Sequence, residues 1–206
     1  DFVGSRGLGD VYKRQHVDFL ADLLRSDSIY ICNNITVNNL EPVSTFLGKL
    51  GNPDLGGLQI EEFIKRQRLH RQAEIYAMLD VPEFMQKAQD IYGYPNFLND
   101  AGGSLCELDD EQVFQVLSDN TLILYIRANH AHEELLCERA VTAPKPLYFQ
   151  ERFLNDHIEL FLEQNNLNAI EQIVPDDFNS WVFPKLLEHR KPCLLYTSPS
   201  PRDPTK

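Results

Sequence analysis

Apolar residues along this chain recur mostly at helical spacing. Val17, Leu20, Leu23 and Leu24 form one such set, closed by Ser26-Asp27-Ser28. Pro42 suits the first turn of a short helix starting near Glu41. Ile60, Phe63 and Ile64, then Ile75, Met78 and Leu79, place an apolar stripe at either end of a long helix from Gln59 to Leu79. Val81-Pro82 opens a further helix to about Tyr92, and Asp109-Asp110-Glu111 starts a short one with acids in its first turn, as the helix dipole favours. Asn129 caps a helix reaching about Ala140. Phe153, Leu154, Ile158, Phe161 and Leu162 form one late stripe. Phe178, Trp181, Val182, Leu186 and Leu187 form another, which begins at Pro175-Asp176 and is expected to bend at Pro184.

Three runs break the helical rhythm. Ile29–Cys32 is a short apolar run of strand type, and Pro95–Asn99 is a second, with proline allowed at a strand's first residue. Thr121–Ile126 is the clearest, continuous and β-rich, in the pattern of a strand buried on both faces. Gly48, Gly51-Asn52-Pro53 and Gly56-Gly57 predict a mobile loop. The pattern predicts an α/β class, mostly helical, with a small parallel sheet.

Candidate chemistry gathers where these elements end. Pro95–Asn99 delivers Asp100 to a bend made of Gly102, Gly103 and Ser104. That is a way to hold Mg²⁺ beside a nucleotide, and it is equally an ordinary turn built from turn formers. In the long helix Lys65, Arg66, Arg68 and Arg71 crowd within two turns beside His70, with Ile64, Arg68, Arg71 and Ile75 on one face. The patch is either a solvated face paired with the chain's own acids or an anion-binding helix. His130 and His132 point to different sides of their helix, so one metal ion does not easily take both. No phosphate-cradling G-x-x-x-x-G-K-[ST] motif and no nucleophile elbow is present.

Charge narrows the partners. Thirty-one acids against 19 bases give a net charge of −12, which repels nucleic-acid backbones and anionic membranes unless the bases cluster. No apolar run approaches the roughly 18 residues of a membrane helix. Cys32, Cys106 and Cys137 are scattered and show no C-x-x-C spacing, which fits a reducing, cytoplasmic setting better than a disulfide framework or a zinc site.

The two ends read differently from the middle. Ser5-Arg6-Gly7-Leu8-Gly9-Asp10-Val11-Tyr12-Lys13-Arg14-Gln15 resembles a translated sequencing adapter, and Cys193-Leu194-Leu195-Tyr196-Thr197-Ser198-Pro199-Ser200-Pro201-Arg202-Asp203 resembles its reverse complement. Residues 1–15 and 193–206 are therefore expected to be adapter-derived, leaving 16–192 as one truncated domain, within the usual span of about 100–200 residues.

Several stretches of that domain resemble a bacterial family labelled ATPase whose members look like P-loop kinases. They are Leu24–Ile31, Asn34-Ile35-Thr36, Ser44–Lys49, Arg66–Ile75, Ile91–Tyr94, Asp100–Glu107, Pro144–Tyr148 and Phe178–Phe183. The resemblance implies a fragment of a three-layer P-loop kinase-like fold, cut before its phosphate loop. Its small parallel sheet would lack the first strands, with Pro95–Asn99 and Thr121–Ile126 flanking the missing central one. It implies ATP and Mg²⁺ as cofactors of the full-length protein and an unknown, anionic small molecule as acceptor. By the same resemblance Asp100 would hold Mg²⁺, Gly102 and Gly103 would meet the nucleotide, and Ser104 would help place the substrate. Arg127 and Arg139 would face the transferring phosphoryl group, and Arg66, Arg68 and Arg71 would grip the acceptor or outer phosphates. For Arg139 the residues themselves also allow a plain helix C-terminal cation.

Three functions stay open at this level. The first is kinase-like phosphoryl transfer by an ATP-binding P-loop protein. The second is nucleotide sensing without turnover. The third is a helical interaction domain whose basic patch docks an acidic partner.

Overall fold

The computed structural model describes residues 46–99, 103–124 and 128–197. Among the described residues there are six helices: α1 (Ile60–Leu79), α2 (Val81–Tyr92), α3 (Glu111–Asn120), α4 (His130–Thr142), α5 (Glu151–Gln164) and α6 (Pro175–Thr197). Short 3-10 turns occupy Pro53–Leu55, Gly103–Glu107 and Ile170–Gln172. Among the described residues no helix is long and apolar enough to cross a membrane. The expected helix at Val17–Leu24, strand at Ile29–Cys32 and helix start at Glu41-Pro42 lie outside the described residues.

The chain divides into two compact units. One comprises Leu69–Ile123 among the described residues, and the other comprises 46–68 together with the chain from Leu124 onward. The division falls inside α1, so that one helix contributes residues to both.

In the unit built on Leu69–Ile123, Ala73, Ile75, Ala77 and Met78 of α1 are buried with Val81, Phe84 and Ala88 of α2 and Val113 and Leu117 of α3. The spacings are helical, so each helix turns one apolar face inward. Helix α2 starts with Pro82 in its first turn and ends at Gly93, whose left-handed φ of 66° lets its N–H reach the Ala88 and Gln89 carbonyls. Helix α3 is capped by Asp110, whose Oδ1 accepts from the Val113 N–H at 3.1 Å.

The second unit holds the larger core. Phe153, Leu154, Ile158 and Phe161 of α5 meet Phe178, Val182 and Leu186 of α6, with Phe63 of α1, Phe149, Leu50 and Ile173 completing the cluster. Its aromatic rings interlock: Phe161 meets Phe178 edge-on at 5.3 Å and Trp181 at 5.1 Å, and Phe149 stacks on Phe153 at 6.2 Å. Helix α6 is continuous through Pro184.

The glycine-rich stretch predicted to be a mobile loop is pinned instead. Leu50 is fully buried and bridges Leu58, Gly51 donates to the Leu58 carbonyl at 3.1 Å, and Asn52 donates to the Ile173 carbonyl at 2.8 Å. Gly51 has φ of 137°, and a Cβ there would meet the Ile173 carbonyl oxygen at 2.5 Å. Close backbone approach is the role of this glycine.

The predicted sheet is not formed, and this corrects the α/β, three-layer expectation. Among the described residues there is no strand, and the fold is all-helical; the Leu50–Leu58 pair is an isolated bridge. The described residues of Pro95–Asn99 and of Thr121–Ile126 carry no ladder, and Leu98, Leu122 and Leu124 are 77, 78 and 76 % exposed. A strand buried on both faces would hide them. Leu122 and Leu124 point outward while Thr121 and Ile123 are half-buried, the alternation of an extended segment with one side against the protein. The β-rich composition of Thr121–Ile126 predicts a strand. A strand also requires a neighbour to pair its N–H and C=O groups, which composition does not encode.

Extended chain in the second unit is held by side chains instead. Gln67 of α1 donates through Nε2 to the Leu147 carbonyl at 3.0 Å and accepts through Oε1 from the Phe149 N–H at 2.9 Å. One amide thus supplies both bonds that a paired strand would give.

Candidate functional site

The basic patch of α1 is tied into the protein. Arg66 donates to Glu62 at 2.8 Å and to the Phe46 carbonyl at 3.1 Å, with its guanidinium 5.5 Å from the Phe46 ring centre. Arg68 grips Glu151 bidentately at 2.8 and 3.1 Å. The hydrogen bond from Arg66 holds the Glu62 carboxyl below the usual carboxylate range, and that from Arg68 does the same for Glu151. Arg71 donates twice to the Leu108 carbonyl, at 2.9 and 2.5 Å, and so fastens the chain just after the Gly103–Glu107 turn. These three arginines have partners from their own unit, as the self-paired reading of the patch expects.

Of the residues expected beside a nucleotide, Gly103 and Ser104 open that 3-10 turn. Asp100, Gly102 and Arg127 lie outside the described residues, and with Asp100 lies the expected Mg²⁺ position.

Arg139 stands apart. It sits in the last turn of α4 and lines a cavity of about 280 Å³ in the second unit. The cavity forms because α4 stops where the sequence changes character: Ala143 donates back to the Arg139 carbonyl at 2.9 Å, and Pro144 and Pro146 cannot continue a helix. The chain then runs extended past α6. Asn179 of α6 donates through Nδ2 to the Lys145 carbonyl at 2.8 Å, and Ser180 donates through Oγ to the Ala140 carbonyl at 3.2 Å. Lys191 of α6 adds an ion pair to Glu133 of α4 at 3.0 Å. These ties fix the end of α4 and the following segment against one face of α6.

The cavity lining combines apolar residues with two cations and an amide. Asn179 is only 2 % exposed, and its Oδ1 has no hydrogen-bond partner among the described residues. Leu136, Leu147 and Phe183 supply apolar wall. Arg139 and Lys145 are exposed and make no side-chain hydrogen bond or ion pair with the described residues. None of the residues lining the cavity is acidic, although the chain carries a net charge of −12. On α4, burial, with Glu133 and Glu188 nearby, pushes the Cys137 thiol up, which favours its protonated form.

Sequence reasoning placed Arg139 among the candidates but gave no role to Asn179, Lys145 or Phe183. A signal was present. Asn179 shares the α6 face of Val182, Phe183 and Leu186 at helical spacing, and a polar amide on an apolar stripe is the informative exception. Two stretches that carry the sequence resemblance, Pro144–Tyr148 and Phe178–Phe183, meet at this cavity.

A second hollow, of about 240 Å³, lies in the other unit beside Gln86, Gln89, Tyr94, Asn96 and Asn120, all of them half-buried or exposed. Compared with protein-family models, curated proteins and solved structures, the chain matches none.

Proposed function

We propose that this chain is a helical ligand-binding domain that holds a small molecule in the α4–α6 cavity and does no chemistry on it. The observation that carries the reading is a largely apolar cavity bordered by two cations, Arg139 and Lys145, that make no side-chain hydrogen bond or ion pair with the described residues. Pockets that bind small molecules have this make-up: mostly apolar walls with a few placed polar groups. The guanidinium groups that phosphoryl transfer would require on α1 are engaged by Glu62, Glu151 and the Leu108 carbonyl, which supports binding over turnover.

Two measurements on the whole chain test this. Incubation with ATP and Mg²⁺ should release no phosphate above the buffer blank. The dye anilinonaphthalene sulfonate, an amphipathic anion, should fluoresce on binding, and Ala143→Trp, which fills the cavity from an exposed position, should reduce that signal. Phosphate release above the blank, or a dye signal indifferent to Ala143→Trp, would overturn the proposal.

A further inference from the structure

We infer that the hollow beside the end of α2 is a binding site for a neutral monosaccharide. It lies in the unit built on Leu69–Ile123 and is separate from the α4–α6 cavity.

The hollow follows from how α2 uses its faces. Val81, Phe84 and Ala88 are buried, and Pro82, Met85, Gln86 and Gln89, spaced by three and four residues, share a second face that lines the hollow. Gly93 then ends the helix in a left-handed turn, and Tyr94, Asn96 and Phe97 of the following chain line it as well. Asn120, the last residue of α3, adds a fourth amide. None of the lining residues is charged, in a chain with 31 acids and 19 bases.

The hydrogen-bonding groups set the chemistry of the ligand. Gln89 and Asn96 make no side-chain hydrogen bond with the described residues. Gln86 donates through Nε2 to Asp90 at 2.8 Å, and Asn120 donates through Nδ2 to the Val116 carbonyl at 2.8 Å, which leaves their amide oxygens as acceptors. Four amide oxygens therefore stand against two wholly uncommitted NH₂ groups. A ligand rich in O–H donors meets that excess of acceptors. A carboxylate or phosphate brings no donor and finds no cation in the lining, so an anion is disfavoured. All four amides are exposed and are hydrated in the free protein, so each hydrogen bond gains little and several must act together.

The remaining walls suit the carbon skeleton of a sugar. Tyr94 and Phe97 are half-buried, and the Tyr92 ring stacks on that of Tyr94 at 5.4 Å. A pyranose carries hydroxyls around its rim and C–H groups on its face, which pack on aromatic and proline rings. At about 240 Å³ the hollow falls below the roughly 300–1,000 Å³ typical of drug-sized ligands, which limits it to one ring.

Saturation-transfer NMR on the full chain, with the methyl glycosides of glucose, galactose and mannose as probes, tests the inference. At least one glycoside should give a signal at millimolar concentration, and the uronate of the best binder should bind at least about fivefold more weakly. Gln89→Leu and Asn96→Leu, both at exposed positions, should each weaken the best binder about fivefold without moving the melting midpoint. Ala143→Trp, in the other cavity, should leave the signal unchanged. No signal from any glycoside, a uronate that binds equally or more tightly, wild-type binding by both leucine variants, or a loss on Ala143→Trp would overturn the inference. Dye binding and phosphate release judge the α4–α6 cavity independently.

Discussion

Gln67 accepts from the backbone N–H of Phe149 at 2.9 Å while the other end of the same amide donates to the Leu147 carbonyl. Phe149 is almost fully buried, so its N–H has no access to water. Gln67→Ala would leave both backbone groups unmet, at a cost of about 2–3 kcal/mol. Trp181, the only tryptophan of the chain, sits against this core and reports it directly by fluorescence. Urea unfolding followed at Trp181 should show the loss, and a shift below about 0.5 kcal/mol would mean that the bonds are replaced.

Gly51→Ala tests the pinned loop. The added methyl would meet the Ile173 carbonyl oxygen, and φ of 137° is unfavourable for any residue with a Cβ. A destabilisation of about 2 kcal/mol or more is expected in the same Trp181 assay. Unchanged unfolding would show that the loop does not pack on Ile173.

The arginines of α1 should rank by the burial of what they hold. Arg68 and Glu151 are both largely exposed, so Arg68→Gln should lower the melting midpoint only slightly, and less at high salt. Arg71 serves the carbonyl of Leu108, a fully buried residue, so Arg71→Met should cost about 1–2 kcal/mol, largely independent of salt. Circular-dichroism melts at two salt concentrations read both, and the reverse ranking would refute it.

His189 should make the aromatic core sensitive to acid. Its ring lies 4.7 Å from that of Phe153, and the ring of His157 stacks on the same phenyl at 3.8 Å. Burial first, then His157 and Arg190, hold His189 below the ordinary histidine value of 6.5. Protonation therefore opposes folding: the contribution is intact above that ordinary value and is lost as pH falls from there toward the lower, folded value. Between about pH 7.5 and about pH 5, the Trp181 melting midpoint should fall more steeply in the wild type than in His189→Gln. Parallel profiles would remove His189 from the acid response.

Much of the helical fold is readable from periodicity. The stripes on α1, α5 and α6 name most of the helical residues in the larger core, because a helix fixes its own hydrogen bonds and needs only one apolar face. The Thr121–Ile126 run is not readable in this way. Whether such a segment becomes a strand depends on a neighbour elsewhere in the chain, and Leu122 and Leu124 end exposed. The site divides along the same line. Arg139 is identifiable as a cation near a helix end, and Asn179 as an amide out of place. Their convergence depends on a hydrogen bond between residues 34 apart, which no local pattern specifies.

Asn179 grips Lys145 by its carbonyl, a group that every amino acid possesses. The backbone of that segment is thus secured without reference to the side chain it bears. A single codon change at this position can remove, reverse or lengthen the charge at the opening while the scaffold stays intact. Descendants of this chain could therefore drift from one class of ligand to another through a neutral path, with selectivity evolving separately from foldability.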